Sequence, residues 1–483
     1  MAGSLVAGGV ALQPSAEQVA LSTNYITNFD FLNQYLPDTY EKEFERYGNR
    51  TISSFLRMVG AEMPSNSDLI KWAEQGRLHI KYTQCGTAAA NADSEATFQV
   101  NDTGVPAFTA NNAIAVRVGQ TVFIQKNDGT ASNKAIVVSV DAGNNRFTCA
   151  FYEAGGFGGV SGGALIETNF TVFIYGSEFQ KGTGGMAGSL EADDTILSNN
   201  PIILKDTYAV NGSDMAQIGW VEVTSENGAS GYLWYLKSEH ETRLRFDDYL
   251  ETAMVEAIPA VAPTVAVGGQ TNAQERGFIG SEGVFHAVNN RGNVYAGGNP
   301  TTLADFDTII QRLDKQGSIE ENVLFVNRQF TFDIDDMLAA QNSYGAGGTS
   351  YGLFDNDEEM ALNLGFSGFR RGYDFYKTDW KYLNDPTFRG GLSTVAGSGT
   401  VNGLLVPAGS TTVYDQILGK NAKRPFLHVR YRASETEDRR YKTWITGSAG
   451  GAMTSDVDEM QVNYLSERAV CTMGANNFVI FNA

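Results

Sequence analysis

The clearest hydrophobic pattern in the chain predicts one long helix over residues 231–259. Apolar residues recur there at intervals of three and four, which places them on one helix face. They are Phe246, Tyr249, Leu250, Ala253, Met254 and Ala257. Two acid-first pairs at i, i+4 add about 0.2–0.5 kcal/mol each, namely Glu239 with Arg243 and Glu241 with Arg245. Such a helix is roughly 40 Å long, so we predict a spine against which other elements pack.

The residues before the spine predict short helices and then a strand. Aromatic residues between 21 and 48 follow a helical rhythm with one proline in the middle, so we predict two helices with a turn between them. Capping residues precede two more periodic stretches, 52–60 and 68–75, which we predict to be helical. Gly76 supplies the left-handed residue expected after a helix, and a strand is predicted over 77–84.

A long β-rich segment extends from about residue 81 to residue 230. Strand-like runs cover 96–100, 114–126, 134–141, 146–152 and 170–176, with Gly and Asn turns at 127–129 and 142–145. Their spacing predicts a small β-barrel or sandwich over roughly residues 97–180, inserted in a longer loop. The segment 81–230 carries seven basic and fifteen acidic residues, a net of −8, so we expect the insert to face solvent.

Strand and helix patterns alternate after the spine, which predicts an α/β lobe. An amphipathic helix is predicted over 302–317, followed by a buried strand over 322–327 and a helix over 333–341. Glycine-rich spans at 342–352 and 390–403 are predicted to be surface loops. The strand-like runs that close the chain are expected to return to the sheet beside the spine, and they cover 425–432, 441–446 and 460–481.

Composition favours a β-rich globular protein of several domains. The chain has 483 residues, of which 42% are hydrophobic and 19% charged, with 53 glycines. Its formal net charge of −20 argues against sequence-specific nucleic-acid recognition. The three cysteines, Cys85, Cys149 and Cys471, show no CxxC spacing, and we expect them to be buried in a reducing compartment. Neither a membrane-spanning run nor a secretion signal is recognisable, so we expect a soluble protein.

The residues that could carry chemistry do not form a known catalytic or metal-binding motif. His240-Glu241 begins like a zinc-protease helix, but Leu244 stands where the second histidine is required. A calcium-loop-like run over 355–359 has Met360 at the place of the turn glycine. The glycine-rich loops lack the Gly-Lys-Ser/Thr ending of a phosphate loop. We therefore predict that the protein is not an enzyme and uses no cofactor or metal.

The order of these elements resembles that of tailed-phage major capsid proteins of the Hong Kong 97 type, an α+β fold. The order is a small flexible amino arm, short helices, a long β excursion, a spine helix, an α/β lobe and a closing strand. Two stretches, 67–82 and 464–481, are similar to segments of major capsid proteins from crAss-like phages of Bacteroidota. The β insert at 97–180 departs from the minimal fold.

The resemblance implies a division of the chain into the parts of that fold. The implied parts are an N-terminal arm with short helices (1–77), an extended loop with the inserted β-domain (78–230), the spine helix of the peripheral domain (231–259), an axial-type α/β domain (260–425) and a return to the peripheral domain (426–483). Residues 1–20 have no core of their own, and we expect them to lie along a neighbouring subunit.

The function that the resemblance implies is structural. A major capsid protein assembles into hexamers and pentamers, which form an icosahedral head around double-stranded DNA without reading its sequence. The implied partners are copies of itself, a portal protein and decoration or auxiliary capsid proteins. The implied location is the virion, after assembly in the host cytoplasm. The alternatives are a phage adhesin or carbohydrate-binding structural protein that uses the acidic β insert, and more remotely an unrecognised hydrolase.

One basic run interrupts the acidic sequence between residues 423 and 442. Its seven cations stand against three acids and include the candidate subunit-interface residues Lys423, Arg424, Arg430, Arg432, Arg439 and Arg440. A positive patch would offset the repulsion between acidic subunits by meeting a neighbour's carboxylates. Arg439 and Arg440 are preferred, because guanidinium groups bind carboxylates through two hydrogen bonds. The alternative is a solvated hairpin, whose exposed ion pairs contribute about 0–1 kcal/mol.

Overall fold

The structure is a computed structural model of the chain. It describes residues 3–4, 11–12, 61–77, 79–91, 95–100, 114–129, 132–153, 170–188, 194–216, 223–224, 230–231, 234–261, 273–342, 368–392, 400–408, 410–415, 420–451 and 453–482. The helices predicted over 21–48 and 52–60 lie outside these residues, as do most of the amino arm and the run 355–359.

The chain forms two compact units. One unit is the segment Leu69–Asn199, and the other combines Met1–Asp68 with Asn200–Ala483. We call them the insert unit and the main unit. Among the described residues that precede the insert, the strands of the main unit are β1 (Gly3–Ser4), β2 (Ala11–Leu12) and β3 (Ala61–Ser65).

The insert unit is built around a closed β-barrel. Its strands are β4 (Ile70–Gln75), β5 (Lys81–Asn91), β6 (Glu95–Val100), β7 (Gln120–Lys126), β8 (Ser132–Asp141), β9 (Arg146–Phe151), β10 (Phe170–Ser177) and β11 (Asp194–Asn199). The barrel order is β10-β5-β6-β9-β8-β7. A barrel was one of the two predicted architectures, but it begins at Lys81, earlier than residue 97.

Side chains on the barrel strands alternate between the inner and outer faces. The inward positions carry aromatic rings, which fill the interior. The buried ring of Phe98 stacks on Phe147 at 5.8 Å and meets the edge of Phe170 at 5.7 Å. Each fully buried Phe contributes about 1.5–3 kcal/mol. Gly129 and Asn145 adopt the positive φ angles that the predicted turns require, +75° and +53°.

The prediction of a helix over 68–75 is wrong, because residues 70–75 form strand β4. The strand pairs antiparallel with β11, with Ile70 opposite Asn199. Ile70, Trp72 and Glu74 are the less exposed positions, which is the two-residue period of a strand. The Trp72 indole N–H donates to the Glu74 carboxylate at 3.0 Å, a contact between positions that would lie on different faces of a helix.

The rest of the main unit is a mixed α/β structure. Its strands are β12 (Ile202–Asn211), β13 (Val223–Thr224), β14 (Ser230–Gly231), β15 (Asn293–Tyr295), β16 (Glu321–Val326), β17 (Gly368–Arg371), β18 (Tyr373–Asp379), β19 (Val401–Pro407), β20 (Ser410–Asp415), β21 (Lys420–Pro425), β22 (Leu427–Arg432), β23 (Lys442–Gly447), β24 (Glu459–Thr472) and β25 (Val479–Asn482). Its helices are α1 (Gly212–Met215), α2 (Trp234–Glu256), α3 (Val284–Arg291), α4 (Leu303–Gln316), α5 (Arg328–Asn342) and α6 (Lys381–Asn384).

Helix α2 is the predicted spine, and it packs on a sheet centred on β24. Strand β24 pairs with β12 on one side and with β22 and β23 on the other, and β3 joins β22 in parallel. Phe246, Leu250 and Met254 form the buried face of α2. The predicted stripe is wrong at Tyr249, which is 47% exposed, whereas Val255 is buried. The α2 face against the sheet is therefore rotated from the predicted stripe.

One of the two ion pairs predicted on α2 has different partners in the structure. Glu241 lies 3.9 Å from Lys237, one turn earlier, rather than forming the predicted pair with Arg245. Arg245 instead contacts Asp206 on β12 at 3.3 Å. A carboxylate on the adjoining sheet thus replaces the helical neighbour, which ties the helix to β12.

A six-stranded mixed sheet forms the predicted α/β lobe. Its order is β15-β25-β19-β16-β18-β17. Helix α4 confirms the helix predicted over 302–317: Thr302 and Asp305 form a capping box, and Gly317 ends the helix at φ 72°. Helix α5 confirms the helix predicted over 333–341 and begins earlier.

The structure departs from two predictions about the later part of the chain. The glycine-rich span 390–403 was predicted to be a surface loop, but its last three residues begin strand β19, which lies between β16 and β25 and is buried over most of its length. Residues 393–399 of that span lie outside the described residues. Strand β25, expected beside the spine, belongs instead to the six-stranded sheet. Both strands are almost continuously apolar, as expected for strands covered on both faces.

Candidate subunit interface

From Arg430 onward, the basic run lies on the sheet of the spine helix, along β22, β23 and the segment between them. Arg439 places its Nε 2.9 Å from an oxygen of Glu467, whose side chain is 10% exposed. Arg432 contacts Asp68 and lies 3.8 Å from the same Glu467. Arg440 contacts Glu62 on β3. Acids from distant parts of the sequence therefore neutralise much of this run within the chain.

A further arginine from β24 completes this cluster. The side chain of Arg468 is 8% exposed and lies 3.6 Å from Glu62, which it shares with Arg440. Arg468 also donates to the backbone oxygen of Arg440 at 3.0 Å, and the Ser466 hydroxyl donates to the same oxygen at 2.6 Å. We call Arg432, Arg439, Arg440 and Arg468 the arginine cluster. It binds the segment between β22 and β23 to β3 and β24.

The structure brings together only some of the predicted interface residues. Arg432, Arg439 and Arg440 belong to the arginine cluster, and Arg430 lies on the same strand as Arg432 with its side chain half-buried. Lys423 and Arg424 lie on β21, which pairs with β20 and not with the sheet of the cluster. Of the two preferred residues, Arg440 is the more accessible, with 55% of its side chain exposed.

An apolar surface that sequence reasoning missed follows the end of the spine helix. Ile258, Val261, Phe278 and Ile279 are all more than half exposed. The two segments that carry them run antiparallel, since Pro259 bridges Gly280 and the Ala260 N–H donates to the Ile279 oxygen at 2.9 Å. We call these four residues the apolar ridge. Several large apolar side chains exposed on two paired segments are the kind of surface that marks protein contacts in soluble proteins.

Glycines fix the backbone beneath the apolar ridge. Gly280 has φ +69°, and a Cβ there would lie 2.4 Å from the Ile258 oxygen. The Gly283 N–H donates to the Ala257 oxygen at 2.8 Å. The ridge is therefore a preformed surface, which loses little backbone entropy when a partner covers it. The sequence feature that could have indicated the ridge was an apolar run without helical or strand periodicity, after the proline that ends the helix.

The residues that could carry other chemistry are dispersed. Among the described residues, no three His, Cys, Asp or Glu side chains lie close enough together to hold a metal ion. His428 is buried and places Nδ1 3.2 Å from the Pro425 oxygen. No helix in the described part of the chain is both long and apolar enough to span a bilayer.

Comparisons with known proteins give similarities to solved structures only. No protein-family model and no curated protein matches this chain. A structure from Microbacterium phage Oxtober96 matches with a TM-score of 0.40 and 11% identity, over 95% of this chain and 99% of that chain. The capsid of Cyanophage Pam1 matches with a TM-score of 0.37 and 12% identity, over 64% of this chain and 82% of that chain. The capsid of Cyanophage P-SCSP1u matches with a TM-score of 0.34 and 9% identity, over 64% and 80% of the two chains.

Proposed function

We propose that this chain is a shell-forming structural protein, the major capsid protein of a tailed bacteriophage. In this proposal its copies form hexamers and pentamers of an icosahedral head that encloses double-stranded DNA. The head belongs to a virion assembled in the host cytoplasm, with a portal protein and auxiliary capsid proteins as partners. The resemblance of 67–82 and 464–481 extends the proposal to crAss-like phages of Bacteroidota.

The apolar ridge is the observation that carries the proposal. A monomer gains nothing from exposing Ile258, Val261, Phe278 and Ile279 on a backbone held by glycines. Burying such a surface between subunits stabilises an assembly by about 25 cal/mol per Å² of apolar area. The ridge follows the end of the spine helix directly, so a neighbouring subunit that binds the ridge would be anchored to this helix and the sheet beneath it.

The order of elements supports the same proposal. A barrel inserted early in the chain, a spine helix on a β-sheet and an α/β lobe occur in the order that the resemblance led us to expect. We propose the spine sheet as the peripheral domain and the six-stranded sheet as the axial domain. The insert unit, Leu69–Asn199, would then belong to the extended loop.

Electron microscopy of the full chain tests the proposal. The protein, alone or co-expressed with the assembly proteins of its phage, is expected to form rings or closed shells. Replacing Phe278 and Ile279 together by Ser should abolish the particles and leave the circular dichroism spectrum unchanged. The matched control is Met453→Ser, which removes an apolar side chain that is 91% exposed elsewhere.

Two results would contradict the proposal. One is a parent protein that stays monomeric at high concentration and with its phage partners present. The other is a ridge variant that assembles as completely as the parent and the Met453→Ser control, because subunit contact would then not use the ridge.

A further inference from the structure

The outer wall of the barrel carries a row of aromatic and basic side chains. Phe173 on β10 lies opposite Phe123 on β7 and opposite Lys81 on β5. Phe123 lies in turn opposite Lys134 on β8. The neighbouring residues Val172 and Ile124 are buried in the barrel, so the row points outward.

The row has defined dimensions because its members are cross-strand neighbours. Adjacent strands lie about 4.8 Å apart, so the two lysines are separated by three spacings, or about 14 Å. Phe173 is 38% exposed, Phe123 is half-buried, and both lysines are exposed. The row is therefore a narrow apolar strip with one ammonium group at each end.

Two tyrosines add to the width of this row. Tyr175 follows Phe173 by two residues on the same strand and is 47% exposed. Tyr152 donates its backbone N–H to the Lys134 oxygen at 3.1 Å, and its hydroxyl donates to Glu178 at 2.5 Å. The first bond places the Tyr152 backbone opposite Lys134, and the second holds the outer end of its ring. We call Lys81, Phe123, Lys134, Tyr152, Phe173 and Tyr175 the aromatic row.

Exposed aromatic rings flanked by cations suit one kind of ligand chemistry. Ring faces bind the C–H groups on the faces of sugar rings, because the π-face is electronegative and the ligand's C–H edge is electropositive. Ammonium groups bind carboxylate or sulfate groups. A chain of sugars that carries acidic groups satisfies both requirements along the length of the row.

We propose that the aromatic row binds an acidic polysaccharide. The proposal goes beyond the capsid function and does not depend on it. Single-stranded nucleic acid fits less well, because its binding relies on many phosphate contacts. The two lysines of the row supply few such contacts.

The test measures binding of the full-length protein to immobilised polysaccharides. The acidic probes are alginate, hyaluronan and chondroitin sulfate, with neutral dextran and single-stranded oligothymidylate as comparisons. The parent is expected to bind at least one acidic probe more tightly than dextran or oligothymidylate, with an affinity that falls as salt is added. Replacing Phe173 and Tyr175 together by Ser should weaken this binding at least about tenfold, and replacing Lys81 and Lys134 by Ala should remove most of its salt dependence.

Matched control variants show whether a loss of binding is specific to the row or follows from any similar substitution in the insert unit. Val138→Ser changes another exposed apolar residue of β8, and Lys181→Ala removes an exposed lysine elsewhere in the insert unit. Both should bind like the parent, and circular dichroism should show every variant to be folded. The proposal is overturned if the parent binds none of the acidic probes, if it prefers oligothymidylate, or if folded row variants bind as the controls do.

Discussion

Arg389 places its Nη1 2.6 Å from both carboxylate oxygens of Glu256, the last residue of the spine helix. The Tyr382 hydroxyl donates to the same carboxylate at 2.6 Å. The Arg389 guanidinium also lies 5.0 Å from the centre of the Phe285 ring. These contacts join the end of α2 to α3, to α6 and to the segment after α6. They fix the direction in which the chain leaves the spine toward the apolar ridge.

Arg389→Met should destabilise the main unit. The substitution keeps apolar volume but leaves the partly buried Glu256 carboxylate without its cation, and hydrogen bonds to charged groups contribute about 1.5–3 kcal/mol. Chemical denaturation of the unassembled chain should report a loss of about 1–3 kcal/mol. The control is Arg370→Met, whose side chain is 74% exposed beside Asp374 and should cost less than about 1 kcal/mol. Equal losses in the two variants would contradict a special role for Arg389.

Gly283→Ala should destabilise the protein through steric contact alone. Gly283 has φ −80°, which any residue adopts, but an added Cβ would lie 2.7 Å from both the nitrogen and the oxygen of Ala257. Overpacking of this kind costs about 1–3 kcal/mol. Gly184→Ala is the control, because no atom lies within 4 Å of the added Cβ there. Thermal unfolding should separate the two variants, and an unchanged melting temperature in Gly283→Ala would mean that the backbone moves freely.

Elements with local signals were predictable from the sequence. Helix α4 carries its own capping box at Thr302 and its own left-handed glycine at Gly317, so its bounds depend on nothing outside it. The barrel strands after residue 95 alternate between buried and exposed positions and are separated by turn residues such as Asn145. These signals survive in any tertiary context, which is why the predictions agreed with the structure.

Features that depend on distant partners were not predictable. Ile70–Gln75 has helix-like capping signals, and its partner strand follows the whole barrel in the sequence. Tyr249 fits the helical stripe, but the position of the sheet determines which face of α2 is covered. The acids that bind the basic run, Glu62 and Glu467, lie on other strands. Pattern analysis identifies apolar and charged residues without showing what lies against them.

Charge reversal in the arginine cluster should affect folding as well as assembly. From the sequence alone, Arg439 and Arg440 were predicted to meet the carboxylates of a neighbouring subunit. However, Arg439→Glu would place a second carboxylate beside the mostly buried Glu467. We expect a loss of about 1–3 kcal/mol from Arg439→Glu, partly restored by adding Glu467→Arg, since contacting pairs couple by about 0.5–3 kcal/mol.

The same pair of variants tests the proposed interface role of Arg439. Arg439 is 30% exposed, so in the swapped chain the outward charge at this position is reversed even where stability returns. If a neighbour's acids meet this surface, the swapped chain should fold but form few closed shells at moderate salt. Recovery of both stability and particle yield would mean that Arg439 acts only within its own chain.

Buried and half-buried tyrosines around the spine should make the protein sensitive to alkali. The ring of Tyr441 meets the edge of Phe246 at 5.5 Å, and burial together with nearby Asp247 raises the pKa of Tyr441 to about 12. Burial also raises the pKa of Tyr464 and of Tyr382. An unfolded tyrosine ionises near pH 10. Because the folded pKa is the higher one, the stabilisation is complete below about pH 10 and is lost as the pH rises through about 12.

Urea denaturation at a series of pH values tests this expectation. The free energy of unfolding should fall steeply above about pH 10 in the parent, as tyrosinate absorbance appears together with loss of circular dichroism. Tyr441→Phe should show a shallower fall, because ionisation of this ring no longer favours the unfolded state in alkali. Tyr464→Phe should have the same effect, and the two changes together should flatten the curve further. If Tyr441→Phe loses stability with the same dependence on pH as the parent, ionisation of Tyr441 does not contribute to alkaline unfolding.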